Sequence, residues 1–555
     1  MSMSQQANWF KVQQDLIEKD LIAEFEVETI TYTRIGGYKA TPFSYDLNLL
    51  NKNIAKSLKG VWRWWTRVAI TGAYNGGIDY KQANKYLNEI FGGTVGERKS
   101  ISLYQMEVKL KEEESDMKSK LEKWNNYVDK IDDIYEKMKQ FMIHIKETGI
   151  TKNINVTCSL NPSAMRIDIK VKGRLPPTQF EEEAKKIKEE ADKIFSKYFY
   201  GYEMDKKKQQ ARIKLKLDDE LYNFAQIPRI KLLLMPRKDK EDDELGGKNT
   251  DKEILAYLNR IKEELFTLVT EGMRLTIKIY GNKDKNKANF AISTFILALI
   301  LGGFGSLTKR GFGSLKILNY KINDEVKNEE IVNIINNLKD KSQINKENLE
   351  NILNKLIKLS IDFTRNLFKI KPFDKVGIPN VPSLVSNTDF FKIKVMEVKG
   401  SKKANEILKK VGDAFLKQEW KVEKKFKSNG KFHTWIIGLP RYVGETGYLI
   451  KEKDELTGNI RRISSIAVRL YENSNRFFLI LYGFLSKDWP IKDKDKELYH
   501  KSVYKNRPPN VLPIKKIKIM DPIKGIELSY TNDDDFLKKV FDIAFNTISD
   551  KISKI

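Results

Sequence analysis

The chain has 555 residues, one cysteine, and 101 lysines and arginines against 75 aspartates and glutamates, a formal net charge of +26. That length predicts two or more packed units, and the lone Cys158 excludes an internal disulfide framework and a thiolate metal cluster, which fits a reducing, cytoplasmic compartment. An apolar share of 41% marks a folded chain, so the basic excess points to a polyanion such as RNA or DNA, with an anionic membrane face and a merely soluble surface as rivals.

The amino terminus lacks the basic-then-apolar pattern of a secretory signal. A β-rich run, Glu24 to Thr33, leads into the turn Arg34-Ile35-Gly36-Gly37, and a helix follows from roughly Leu49 to Thr71. Another strand pattern, Ser100 to Leu110, stops at a charged stretch where an insertion begins. Within it Met117, Leu121, Trp124, Val128, Ile131, Tyr135, Met138, Met142 and Ile145 form a heptad seam. A second seam runs through Phe180, Ala184, Ile187, Ala191, Ile194 and Tyr198, after Pro176-Pro177 and a capping box from Thr178 to Glu181. The spacing predicts an antiparallel helical arm over about 111 to 200, with an alternating stretch, Ala164 to Val171, between its helices.

Strand character returns at Arg274 to Tyr280, followed by an apolar helix, a glycine-rich loop and a strand from Ser314 to Lys321. The apolar run Ala288 to Phe304 is short for a bilayer and interrupted by Asn289, Ser293 and Thr294, so it reads as a buried helix. The order around the arm is β-α-β-β-α-β, the ferredoxin-like plan. A helical segment covers about Glu325 to Phe368, and the order begins again with a strand at Phe391 to Lys399 and a helix from Lys402 to Phe426. Strands at Thr434 to Leu439, Arg462 to Tyr471 and Arg476 to Phe484 and a last helix after Asp533-Asp534-Asp535 complete a second, degenerate unit. The aspartates read as an N-cap and dipole partner rather than a metal site. The expected fold is α+β, with two tandem ferredoxin-like domains. The first, 1–322, is interrupted by an insertion over 104–270; a helical connector spans 323–384, and the second domain spans 385–555.

Two motifs carry chemistry. The first, Gly303-Phe304-Gly305-Ser306-Leu307-Thr308-Lys309-Arg310-Gly311-Phe312-Gly313, lacks the lysine-serine/threonine end of a Walker loop. It follows a helix carboxyl end, where the macrodipole repels anions, so Lys309 and Arg310 must supply any attraction to phosphate. Phe304 and Phe312 are available to pack beneath the loop or to stack on a base, and a tight turn with no ligand is the alternative. In the second motif, Lys59 to Arg67, helical phasing gathers Ile54, Leu58, Val61, Trp65 and Val68 on one face and Lys56, Lys59, Arg63 and Arg67 on the other. Trp64 lies at the border, open to packing or to base stacking.

The paired glycine-aromatic-glycine steps after a helix resemble the signature loop of RAMP proteins, the RNA-binding family of CRISPR systems. The run Lys59-Gly60-Val61-Trp62-Arg63-Trp64-Trp65-Thr66-Arg67, followed by Ile90-Phe91-Gly92-Gly93, is similar to the first RAMP subunit of type III-B (Cmr) effectors. Gly438-Leu439-Pro440-Arg441 and Arg461-Arg462-Ile463-Ser464-Ser465-Ile466 are similar to that subunit family's carboxyl-terminal motifs. The likeness covers the first hundred residues, about 271 to 322 and about 433 to 484. Gly93 departs from the serine expected there, and the second domain carries no glycine loop of its own.

The resemblance implies RRM-like domains with RNA on the glycine loop and on the helix carrying Arg63, so Arg63, Arg67, Lys309 and Arg310 inherit an RNA-binding reading. Lys59, Trp64, Phe304, Phe312, Arg441, Arg461 and Arg462 complete the expected interface, around Gly303, Gly305, Gly311 and Gly313. It also implies guide RNA, target RNA and other RAMP subunits as partners, and no cutting by this subunit. The rivals are a RAMP-type endoribonuclease that processes CRISPR RNA and an RNA-binding protein outside CRISPR. The nuclease needs an acid-base group beside the glycine loop, and the only histidines, His144, His433 and His500, lie on the arm and in the second domain. No spacing suggests zinc or magnesium ligands, and no cofactor is expected.

Overall fold

The computed structural model describes residues 20–34, 47–95, 98–100, 102–111, 133, 136–149, 153–161, 166–196, 199–216, 268–269, 271–340, 344–371, 377–385, 389–400, 403–416, 420, 433–439, 442–443, 446–452, 455–457, 463–474, 476–489, 496–504 and 507–555. The chain divides into two compact units: Met1–Gly37, Ser44–Lys111 and Val269–Ile555 form the larger, and Tyr38–Phe43 with Glu112–Leu268 the smaller.

The larger unit opens with strand β1 (Leu21–Thr29), helix α1 (Leu47–Ala73), helix α2 (Tyr80–Phe91) and strand β2 (Tyr104–Leu110). Phe25 and Val27 alternate inward along β1, the period of a half-buried strand. Helix α2 begins at a capping box, in which Asp79 and Gln82 exchange bonds with each other's backbone, and ends at Gly92 with φ 69°.

The smaller unit comes next in sequence. It contains helical residues 136–147, β3 (Ile154–Asn161), β4 (Arg166–Gly173), α3 (Pro177–Phe195), β5 (Phe199–Asp205) and β6 (Gln210–Lys216). The expected helical arm is thereby corrected. Its two helices exist and meet through Phe141 and Phe195, 5.8 Å apart, but the unit also holds a four-stranded antiparallel sheet in the order β3-β4-β6-β5. Ile167, Ile169 and Val171, read as a short alternating link, are the buried face of a central strand. The helical stripes shift accordingly, with Phe141 and Phe195 buried where Met142 and Ile194 were expected. Helix α3 has Pro176 at its N-cap and no side-chain cap, so the box from Thr178 does not form; proline at the first turn starts the helix instead. The seam from Met117 to Ile131 lies outside the described residues.

The larger unit resumes with β7 (Arg274–Gly281), α4 (Lys285–Leu297), a π-helical turn (Ala298–Gly302) and β8 (Leu315–Ile322). The first sheet has the antiparallel order β8-β1-β7-β2, positions 4-1-3-2 of the ferredoxin-like plan. Every residue from Ala288 to Leu297 is buried, and no helix among the described residues is long and apolar enough to cross a membrane. The helical connector is two helices, α5 (Glu329–Lys339) and α6 (Lys346–Phe368), each started by an asparagine cap, Asn328 and Asn345.

Then follow β9 (Phe391–Glu397), α7 (Ala404–Ala414), β10 (Thr446–Glu452), β11 (Ile466–Asn473), β12 (Arg476–Phe484), β13 (Lys496–Tyr504), β14 (Arg507–Pro513) and α8 (Asp533–Ile552). The sheet β9-β12-β11 takes positions 1-3-2 of the same plan, so the second half is ferredoxin-like without a fourth strand among the described residues. Residues Thr434–Ile437, expected as strand, form a buried 3-10 turn, and β10, β13 and β14 build a further sheet that local pattern had not announced. Asn532, not an aspartate, caps α8; Asp533, Asp534 and Asp535 fill its first turn, where the helix dipole favours them.

Candidate nucleic-acid interface

The paired-glycine loop and the tryptophan-rich helix, some 240 residues apart in sequence, meet in the fold. The Gly305 N–H donates to Ser57 Oγ of α1 at 3.1 Å, and a Cβ on Gly302 would fall 2.3 Å from Val61 Cγ1. The Lys309 ammonium rests 4.6 Å from the Trp64 ring centroid and 5.2 Å from that of Tyr482 on β12. Burial, reinforced by the nearby Arg469 and Arg310 charges, pushes the Lys309 pKa down to about 7.

Arg469 of β11 is the residue that sequence reasoning missed. It is fully buried, and its guanidinium donates to the carbonyls of Thr308 at 2.9 Å, Phe312 at 2.7 Å and Gly313 at 2.7 Å. An arginine in an otherwise apolar strand, Ile466-Ala467-Val468-Arg469-Leu470-Tyr471, was the available signal. The second domain thus grips the first through its glycine turn. Val468 N–H donates to the Lys309 carbonyl, Leu470 N–H to Ser314 Oγ, and Tyr482 Oη to the Leu301 carbonyl at 2.6 Å.

The glycines are demanded by this contact. A Cβ on Gly303 would stand 1.8 Å from Arg469 Nη2, one on Gly313 2.0 Å from the Phe304 carbonyl oxygen, and both residues have positive φ, 67° and 61°. Phe304 and Phe312 are both fully buried, which overturns base stacking and leaves the other reading, packing beneath the loop. Arg310 is largely enclosed at the domain junction, with its guanidinium 3.5 Å from the Phe415 ring centroid and one Nη donating to the Ile437 carbonyl at 3.0 Å.

Along α1 the basic side chains are held by neutral groups. Lys59 Nζ donates to the Tyr104 carbonyl at 3.4 Å, Arg63 to the Phe91 and Gly92 carbonyls at 3.0 and 3.2 Å, and Arg67 Nε to Asn84 Oδ1 at 2.8 Å. Arg63 therefore closes the carboxyl end of α2, a cation at the negative pole of a helix. The pKa values of all three are lowered, by burial first, and those of Lys59 and Arg67 additionally by Arg63. The core face of α1 also shifts: Trp62, beside the basic stripe, is fully buried with its Nε1–H on the Ala291 carbonyl at 3.1 Å, whereas Val61 is half-buried. Trp65 is in the core as expected. Trp64 is half-buried, edge-on to Trp65 and Phe484. Arg441, Arg461 and Arg462 lie outside the described residues.

Each of the three histidines is engaged by neighbours in its own unit. His144 pairs with Glu190 in the smaller unit at 3.0 Å. His433 is buried, accepting the Trp435 Nε1–H at Nδ1 over 3.1 Å and meeting the Ile517 carbonyl with Nε2 at 3.2 Å, while His500 lies buried edge-on to Tyr448. Among the described residues no cluster of histidine, cysteine and carboxylate groups is placed to hold a metal ion.

These observations define a protein with two ferredoxin-like halves clasped around a paired-glycine turn. The chain belongs to the RAMP superfamily, whose family model matches residues 26–316. Among curated proteins it is similar to the CRISPR system CMR subunit Cmr1 of Saccharolobus solfataricus, 23% identical over 498 residues that cover 84% of this chain and 94% of the relative. Among solved structures it is similar to a chain of the type III-B Cmr-beta complex bound to cognate target RNA (18% identity, 84% of this chain and 94% of that one, TM-score 0.40). It is also similar to Cmr1 from Pyrococcus furiosus in its apo form (15% identity, 85% and 91%, TM-score 0.37).

Proposed function

We propose that this chain is a non-catalytic RNA-binding subunit of a cytoplasmic type III-B CRISPR (Cmr) ribonucleoprotein, capping its RAMP filament in antiviral defence. In that role it helps to bind the 3′ region of the guide RNA and to capture target RNA beside other RAMP subunits, away from any membrane. One observation carries the reading: Lys59, Arg63 and Arg67 on α1 are held by carbonyls or an amide and by no carboxylate among the described residues. Positive charge that the fold leaves uncompensated attracts a polyanion. The curated relative's name, a CMR subunit, supports the assignment to that particle.

The interface reads charge and backbone rather than bases, since both loop phenylalanines are buried and Trp64 is largely occupied by packing. Changing Lys59 and Arg67 together to glutamine keeps hydrogen-bonding length and removes two charges. The salt dependence of single-stranded RNA binding should then flatten by about 1.4, at about 0.7 per neutralised phosphate. An unchanged slope rejects this surface as the RNA site. Purification of the native particle tests the assignment itself: guide RNA and other RAMP subunits should accompany the chain, and their absence returns the case to an RNA-binding protein outside CRISPR.

A further inference from the structure

We infer that the smaller unit is a third ferredoxin-like module, circularly permuted, and that one end of its sheet binds the sugar-phosphate backbone of RNA. The proposed function places RNA on the larger unit and assigns the insertion nothing, so this inference goes beyond it.

The permutation is read from topology. If β6 is taken as the first strand, β3 as the second, β4 as the third and β5 as the fourth, the observed order β5-β6-β4-β3 becomes 4-1-3-2. All three pairings are antiparallel, as that plan demands. The strand that opens an ordinary ferredoxin-like unit is here joined to the end, through the hairpin between β5 and β6.

In this plan helices cover one sheet face and leave the other for ligands, the surface by which RRM-type sheets meet RNA. Ile167, Ile169 and Val171 on β4, with Ala211, Ile213 and Leu215 on β6, form the buried face. The alternate positions of these central strands carry Lys170 and Lys172, and Arg212 and Lys214. Asp168, the one acid among them, is buried, and Lys214 is paired with Glu203, so the open part of this face is the Lys172 end of β4.

The uncompensated charge gathers at one end. The β5–β6 turn is tied to the end of β4, because Gln209 Nε2 donates to the Leu175 carbonyl at 2.8 Å and Gly173 N–H to the Gln209 carbonyl. That tie joins the turn that carries Lys207 to the segment that carries Lys172 and Arg174, three exposed cations with no carboxylate partner among the described residues. Their neighbours Lys206 and Lys208 are, by contrast, paired with Glu181 at 2.6 Å and Asp205 at 3.6 Å. Helix α3, covering the opposite face, has its lysines paired with its own acids, such as Lys186 with Glu183 and Lys193 with Glu190, so the free cations lie at the sheet end. A polyanion is drawn there. The outward positions on β4 and β6 are all polar, which suits backbone contact without base readout.

The test uses the full-length chain and a single-stranded RNA of mixed sequence. In a variant with Lys172→Ala, Arg174→Ala and Lys207→Ala, the salt dependence of binding should flatten by about 2, three charges at about 0.7 each. A charge-retaining variant, Lys172→Arg, Arg174→Lys and Lys207→Arg, should keep the parent slope. The same slope in parent and alanine variant overturns the proposal, as does a flattening that the charge-retaining variant shares, or loss of a protein partner from the particle at constant RNA slope. The Lys59 and Arg67 double variant, measured alongside, reports on the larger unit alone, so failure of one surface is distinguishable from failure of the other.

Discussion

The Arg469 guanidinium, from the second ferredoxin-like half, lies 2.7 Å from the carbonyl oxygen of Gly313 in the first half's turn. With the bonds to Thr308 and Phe312 it reaches three carbonyls of the loop, adding to the turn's own backbone bonds such as Phe304 N–H to the Gly313 carbonyl. The turn's shape therefore depends on the neighbouring domain. Arg469→Ala would leave the Thr308 and Gly313 carbonyls with only their backbone donors, the Gly311 and Phe304 N–H groups, and would strip the Phe312 carbonyl of its arginine donor. A buried acceptor left without a partner costs about 1 to 3 kcal/mol. Chemical denaturation should show that loss as a lower midpoint, and a midpoint unchanged from the parent would contradict the clamp.

Glycine substitutions should separate demanded glycines from permissive ones. Gly303→Ala and Gly313→Ala each combine a positive φ with a contact of 2.0 Å or less, so each should destabilise by about 2 kcal/mol or more. Gly60, in the middle of α1, has nothing within 4 Å of its ideal Cβ, and Gly60→Ala should stabilise by about 0.5 to 1 kcal/mol. Thermal melts of the three variants would show opposite signs.

Lys309 gives the domain junction a pH dependence of known sign. Its pKa falls from 10.5 when unfolded to about 7 when folded, so between those values the unfolded chain binds more protons than the folded one. Stability should therefore rise with pH from about 7 to about 10, and the cost of charging the buried ammonium is fully present below about 7. In Lys309→Met this component disappears, and stability against pH should be flatter across that window than in the parent. Parallel curves for the two proteins would place the ammonium in water instead.

The histidine rival makes the opposite forecast to the structural reading. Replacing His433 by alanine strands the Trp435 Nε1–H and should lower stability by about 1 to 3 kcal/mol. RNA incubated with the parent chain in magnesium or manganese should stay intact and should be unaffected by that substitution. Cleavage abolished by His433→Ala in a still-folded protein would restore the endoribonuclease.

The first domain was legible because its signals are local and periodic. The strands at Leu21–Thr29, Arg274–Gly281 and Leu315–Ile322, and the helix Leu47–Ala73, all fall within a few residues of the positions that hydropathy alone marks. The smaller unit was misread because α3 and the helix before it carry strong seven-residue seams that outweigh its short strands: β6 alternates, with Ala211, Ile213 and Leu215 inward, but over only seven residues, and β5 is broken by Gly201. Pairing of β6 with β4, and of β5 with β6, supplies what such short runs do not. The turn at Thr434–Ile437 misled for the converse reason: an apolar run of that length suits a strand or any buried segment equally well.

The order of residues alone settled the net charge, the ferredoxin-like succession of elements and the two motifs, because each is a property of neighbours along the chain. Which cations remain available to a polyanion was decided only when the chain closed on itself. A side chain's charge is written in its identity, but whether it faces water, an aromatic ring or a carbonyl depends on residues hundreds of positions away. Arg469 shows this most plainly: a lone cation in an apolar strand of the sequence and, in the fold, the pin that holds the glycine turn.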